Sequence, residues 1–261
     1  MDAADFVTQR QLESDFELIG LREGDAVLVH AALRSVGHVL GGPDTIIDAI
    51  RAVLGPRGTL LAYADWQLEE DALGIPELRD DIPPFDPQRS RSCRDYGTWA
   101  ELVRTVPGAT RSGNPGASMA AVGGRAEWFT SGHALDYGYG PDSPLAKLVE
   151  ANGKVLMLGA PLDTMTLLHH AEHLANIPNK TVISYEVPLL RDGRTVWQRF
   201  EEFDTSNPPG ELPEDYMAGL VEEFLATGRG SMRIVGRARS VLVRADEIVP
   251  FAVTWLEQRL R

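Results

Sequence analysis

The 261-residue chain contains a single cysteine, Cys93, which excludes an internal disulfide and any cysteine-rich metal centre. Lying between Arg91 and Arg94, Cys93 has two readings, an activated thiol or an ordinary core or surface residue. No run of about 18 apolar residues occurs. The start "MDAADFVTQRQ" lacks a charged n-region followed by an apolar core, so the chain is expected to be soluble and cytoplasmic, without a membrane partner. Repeats, low-complexity tracts and a clear linker are missing as well. Basic residues are few: 25 Lys and Arg against 38 Asp and Glu give a formal net charge of -13, which argues against nucleic acid as a partner.

The acidic excess suits a cationic ligand. Between Asp65 and Asp86 stand eight carboxylates (Asp65, Glu69, Glu70, Asp71, Glu77, Asp80, Asp81, Asp86) and one basic residue, Arg79. Each alone reads as a solvated loop charge. A second acidic stretch, "RFEEFDTSNPPGELPED", suggests that two such segments line one cleft and focus a negative field on a polycation.

With 43% hydrophobic residues, the chain has the apolar material for one large domain or two small ones. Helical spacing over Gln9 to Leu21 is followed by an apolar strand, Ala26 to Val29, that ends at His30. A Gly-punctuated loop, a helix opened near Pro43-Asp44, a Gly-Pro-Arg-Gly turn and a strand from Thr59 to Tyr63 complete a unit of the kind that builds parallel sheets. Functional loops in such sheets lie beyond the strands' carboxyl ends, where His30 to Gly37 and Ala64 to Trp66 fall. Residues Gln67 to Tyr96 read as a long surface excursion, and loops of that length are usually functional or disordered. Further on come a helix near Thr98 to Arg104 and apolar strands at Met119 to Val122 and Val155 to Leu158. Hairpin material turns at Arg191-Asp192-Gly193-Arg194, and a helix spans Asp215 to Ala226 before a short strand and helix. The expected fold is one α/β domain over residues 1–261: a central, largely parallel or mixed sheet flanked by helices, with a β-rich C-terminal subregion.

Two short matches carry little. "GASMA", with Ser118, resembles a hydrolase nucleophile elbow without its last glycine, and no strand runs directly into it. "RSVGHV" approximates a pyrophosphate loop, and its free backbone amides suit an anion.

"LLHHAEHLANIP" places His169, His170, Glu172 and His173 within five residues. On a helix, His169, Glu172 and His173 share one side while His170 points elsewhere. H-x-x-E-H spacing fits an inverted zinc-protease motif, although a third ligand would have to come from elsewhere. It fits equally a dyad in which Glu172 holds the imidazole of a His169 general base.

Taken in order, the blocks "LVHAALRSVG", "GPRGTLLAYADW", "RSGNPGASMAAVG", "GPDSPLAKL", "GKVLMLGAPLDTMTLLHHAEHLANIPNK" and "EEFDTSNPP" resemble the aminoglycoside 3-N-acetyltransferases, from about Leu28 to about Val253. That resemblance implies acetyl transfer from acetyl-coenzyme A to the 3-amine of the 2-deoxystreptamine ring of a cationic aminoglycoside, conferring antibiotic resistance without a metal. Its H-x-A-E motif falls on His169, Ala171 and Glu172, making His169 the general base and Glu172 its orienting partner. Its coenzyme loop falls on His30, Ala31, Ala32, Leu33, Arg34, Ser35, Val36 and Gly37, with Arg111 and Ser112 as further coenzyme contacts. Many relatives carry serines where Ala31 and Ala32 stand and a histidine where Asn114 stands, so hydroxyl contacts are lost at the two alanines. Expected substrate contacts are Tyr63, Asp65, Glu202, Asp204 and Asn207. The expected mechanism is direct transfer in a ternary complex by a monomer or homodimer. The rival readings are a zinc hydrolase using His169, Glu172 and His173, a protein that binds aminoglycosides without catalysis, and an enzyme that acetylates a different amine.

Overall fold

Four consecutive buried residues open the strand Ala26–Ala31, a pattern that belongs to a strand covered on both faces. In a computed structural model of the chain, which describes residues 2, 5–68, 70–204, 212–213 and 215–260, that strand lies at the centre of a mixed sheet. The strands are β1 (Phe6–Val7), β2 (Ala26–Ala31), β3 (His38–Val39), β4 (Thr59–Tyr63), β5 (Thr110–Arg111), β6 (Met119–Gly123), β7 (Lys154–Leu158), β8 (Val182–Arg191), β9 (Arg194–Phe203), β10 (Ser231–Val235) and β11 (Ala238–Arg244). The helices are α1 (Gln9–Ile19), α2 (Pro43–Leu54), α3 (Glu70–Leu73), α4 (Trp99–Arg104), α5 (Ala126–Thr130), α6 (Pro144–Glu150), α7 (Leu167–Leu174), α8 (Tyr216–Ala226) and α9 (Ala245–Arg259).

The main sheet runs β10-β11-β7-β2-β4-β6-β5. Strands β7, β2 and β4 are mutually parallel, while β11 and β6 flank them antiparallel. The β2-α2-β4 unit was legible from its punctuation: Pro43 begins α2, and Gly55 closes it at φ 63, a conformation that favours glycine.

Alternation along the strands divides the core by face. Leu28, Leu61, Val155 and Met157 pack with α5 to α9. Val27, Val29, Leu60, Leu156 and Leu158 pack with α1, α2 and α4. Each fully buried Leu, Ile or Phe in these layers contributes roughly 1.5–3 kcal/mol. His30 follows Leu28 by two residues and therefore faces the α7 side.

The C-terminal β-rich part divides in two. Strands β10 and β11 extend the main sheet, whereas β8 and β9 form a separate hairpin. Asp192 and Gly193, with φ 50 and 73, make its two-residue turn, a left-handed pair that matches strand twist. The 67–96 excursion differs from a bare surface loop: Ile82 and Phe85 join Trp66, Val187, Leu189 and Phe200 in a third core. Phe85 N–H donates to Pro188 O at 2.8 Å, and Leu190 N–H to Phe85 O at 2.9 Å. Widely spaced aromatics in a Pro- and Asp-rich segment leave no periodicity, which is why this anchor is invisible in sequence.

Candidate active site

The carboxyl ends of β2, β4 and β7 share one edge, and the chain departs from β2 and β7 toward different loops, the arrangement that opens a ligand crevice. After β2, Leu33–Val36 forms a short 3-10 turn that exposes Arg34 and Ser35 and buries Val36 in the core. Ala32 N–H donates to Leu158 O at 3.0 Å, pinning this turn to the end of β7. Gly159 follows at φ 65, where a Cβ would lie 1.9 Å from Ser35 Oγ. The close approach of these two loops therefore requires glycine there.

Helix α7 begins beyond that loop. His169 Nδ1 lies 2.6 Å from Glu172 Oε2; because a carboxylate only accepts, Nδ1 carries the hydrogen, which in a neutral imidazole leaves the lone pair on Nε2. Nε2 bonds to none of the described residues. His169 retains 26% side-chain exposure against 9% for Glu172, so the imidazole is reachable while its partner is shielded. Tyr216 OH donates to the other carboxylate oxygen, Oε1. Burial, together with the Glu172 charge, holds the Tyr216 phenol far above its ordinary range, so it remains a donor. The Tyr139 ring lies 5.0 Å from the His169 ring. His30 has its pKa lowered to about 4 by burial and by His169, and so stays neutral beside the pair. Its Nε2 is buried and bonds to none of the described residues.

The other α7 histidines do not converge on His169. His170 Nδ1–H donates to Tyr139 O at 2.8 Å. His173 Nε2 turns to Glu202 Oε1 at 2.7 Å. Among the described residues no group of three His, Cys, Asp or Glu side chains could hold a metal ion, so the zinc reading of H-x-x-E-H loses its ligand set. Glu202 also accepts from Gly138 N–H at 2.7 Å and Phe203 N–H at 2.8 Å. Its carboxylate is thus engaged by α7, β9 and the loop that carries Tyr139.

That loop is held a second time by His133. Nε2–H donates to Gly138 O at 2.7 Å and Nδ1 accepts from Ser112 Oγ at 2.8 Å, while Ser112 Oγ accepts from Met119 N–H at 2.9 Å. Burial lowers the His133 pKa to about 4, which preserves this neutral arrangement. Ser112 is fully buried within the chain of bonds. Arg111 is occupied too: Nε donates to Ser118 Oγ at 3.0 Å, Nη1 to Ser90 O at 2.6 Å, and Nη2 to Ala64 O. Asn114 uses both ends of its amide, donating to Ala134 O and Leu135 O and accepting from Gly116 N–H and Ala117 N–H. Arg111, Ser112 and Asn114 thus spend their polar groups inside the protein, including the two that the sequence offered as coenzyme contacts.

On the β4 side, Tyr63 OH and Tyr139 OH lie 2.9 Å apart and both reach Gly116 O. Burial and the Asp65 charge raise both phenols well above their ordinary range. Asp65 Oδ1 accepts from Trp66 N–H at 2.7 Å. Tyr96, well exposed, stands 5.7 Å from the Tyr63 ring. Asp204 follows β9, its N–H donating to Thr181 O at 2.9 Å, whereas Asn207 lies outside the described residues. Tyr63, Tyr139 and His169 therefore form one aromatic row, with the buried Asp65 carboxylate close enough to raise both phenols. Burial, with the neighbouring Asp95 and Asp65 charges, raises the Cys93 thiol, which disfavours a thiolate nucleophile. Ser118 is fully buried and donates to Ala64 O at 2.7 Å.

Sequence reasoning missed Tyr139 and Tyr216. Tyr139 sits in a glycine-rich loop and Tyr216 at the start of an apolar helix, and only tertiary packing brings either to His169.

A family model described as aminoglycoside 3-N-acetyltransferase matches residues 28–257. The aminoglycoside N(3)-acetyltransferase III of Pseudomonas aeruginosa is 46% identical over 97% of this chain and 94% of its own length. The corresponding type VIII protein of Streptomyces fradiae is 41% identical over 97% and 93%. Among solved structures, AAC-IIIb in binary complex with CoASH superposes with a TM-score of 0.93 at 57% identity, covering 98% of both chains. AAC-VIa bound to sisomicin gives a TM-score of 0.92 at 34% identity, covering 97% and 98%.

Proposed function

The chain belongs to the aminoglycoside 3-N-acetyltransferases, and from that premise we propose that it passes the acetyl group of acetyl-coenzyme A directly to the 3-amine of a 2-deoxystreptamine aminoglycoside. His169 is the general base and Glu172 its orienting partner. The observation that carries this reading is the 2.6 Å His169–Glu172 bond, made at the crevice with Nε2 left open. The coenzyme A and sisomicin held by two similar proteins support the choice of donor and acceptor.

An ammonium has no lone pair, so the acceptor first releases one proton to solvent. As its nitrogen attacks the thioester carbon, His169 Nε2 takes a second proton and returns it to the departing sulfur as the C–S bond breaks. The third remains on the product amide. Glu172 stabilises the imidazolium that forms between those events. The His30 to Gly37 turn receives the coenzyme, with Arg34 and Ser35 exposed, while Arg111 and Ser112 act on it indirectly, through the bonds that fix β5 and β6 beside β4. Tyr63, Asp65, Asp204 and Asn207 are the substrate contacts. Glu202 acts on substrate indirectly, by fixing His173 and the Tyr139 loop.

Acetyl-coenzyme A turnover with gentamicin, followed as thiol release, tests the assignment. His169→Ala should lose about 10²–10⁴ in kcat, whereas Cys93→Ala should leave kcat unchanged because no acetyl-enzyme forms. Full activity in His169→Ala would refute the general-base role.

A further inference from the structure

We propose that Tyr216 is a positioning residue for the reaction, a third link after His169 and Glu172 whose hydroxyl fixes the carboxylate in the orientation the base requires. The inference rests on the general-base reading above. A carboxylate held by one bond can swing about its terminal torsion, which is broad and soft. Glu172 is held at both oxygens, His169 Nδ1–H on Oε2 and Tyr216 O–H on Oε1. The phenol is itself anchored away from the crevice. Its ring stacks on Trp255 of α9 at 6.2 Å and 21°, and its backbone N–H donates to Pro213 O at 3.1 Å. Helices α8 and α9 thus deliver a fixed donor to a carboxylate on α7.

The chemical type of that donor matters. An Arg or Lys at Oε1 would neutralise Glu172 and weaken its hold on the imidazolium, whereas a phenol satisfies the second oxygen and leaves the charge in place. The remaining titratable groups that face the pair are His30 from β2, Tyr139 against the His169 ring, His173 on α7, and Lys180, whose field reaches Glu172 while its Nζ donates to His173 O at 3.0 Å. All four are unchanged in the test variant.

Tyr216→Phe keeps the ring against Trp255 and removes only the donor. Without it Glu172 swings out of line with His169 Nδ1–H, and its charge stabilises the imidazolium less. The expected result is a kcat about tenfold lower, KM for both substrates nearly unchanged, and the acidic limb of the kcat profile displaced downward by about one pH unit. Added to His169→Ala, Tyr216→Phe should cost nothing further, because its effect passes through the imidazole. An unmoved limb with unchanged kcat overturns the proposal, whether or not the melting temperature falls, since a structural role alone would lower only the latter. An equal loss in both backgrounds also overturns it and leaves His169 as the base. If His169→Ala is itself fully active, the general-base reading fails, and the Tyr216 assignment with it.

Discussion

His133→Gln should give a protein whose stability, relative to wild type, improves as the solution is acidified. Folded His133 resists protonation down to about 4, whereas in the unfolded chain it titrates at its ordinary 6.5. Below 6.5 the unfolded state therefore binds a proton that the folded state refuses, and stability falls with pH until the folded value is reached. The linkage amounts to roughly 2 kcal/mol at pH 5 and roughly 3 kcal/mol at pH 4. Glutamine can still donate to Gly138 O and accept from Ser112 Oγ, though in altered geometry, at a cost of about 1–2 kcal/mol near neutrality. The two stabilities should thus cross between about pH 6 and pH 5, with the variant the more stable below that. Urea unfolding followed by circular dichroism from pH 7 to pH 4.5 measures the difference. His30, lowered for the same reason, and the 38 carboxylates are present in both proteins and cancel. A wild-type minus variant difference that stays constant over this range would refute the claim that His133 is held neutral.

Gly159→Ala adds a Cβ 1.9 Å from Ser35 Oγ at φ 65, and should cost about 1–2 kcal/mol in thermal unfolding and raise the coenzyme KM. Ser35→Gly in the same chain should recover part of the lost stability, and failure to recover it would mean that the two loops do not meet as described. Glu202→Gln sets an amide N–H against one of the three donors that Glu202 now accepts. It should lower stability by about 1–3 kcal/mol in urea titration, and a variant as stable as wild type would contradict the clamp.

The elements that recruit their neighbours locally were legible in the sequence. The strand at Thr59–Tyr63 agrees residue for residue, and β2, β7 and α7 agree to within a few positions, because apolar runs bounded by Gly and Pro have few alternatives. The His169–Glu172 pair was legible for the same reason, since helical spacing alone sets it. What the sequence hid is long-range. His173 shares a helix side with His169 but is turned by Glu202, twenty-nine residues later. Arg111 and Ser112 look like ligand-binding residues by type, and their occupation by Ala64, Ser90, Ser118 and His133 emerges only when β5 and β6 fold back beside β4.

The Phe85 anchor has a kinetic meaning. Phe85 joins the acidic excursion to the β8–β9 hairpin through a small core of its own, separate from the layers that hold α7. An opening of that small core exposes few apolar residues, whereas moving α7 disrupts a layer shared by five helices, so the two have unequal opening free energies. Amide exchange should accordingly be faster across residues 70–90 than within α7. The acidic excursion can thus open on its own while the His169–Glu172 pair keeps its alignment.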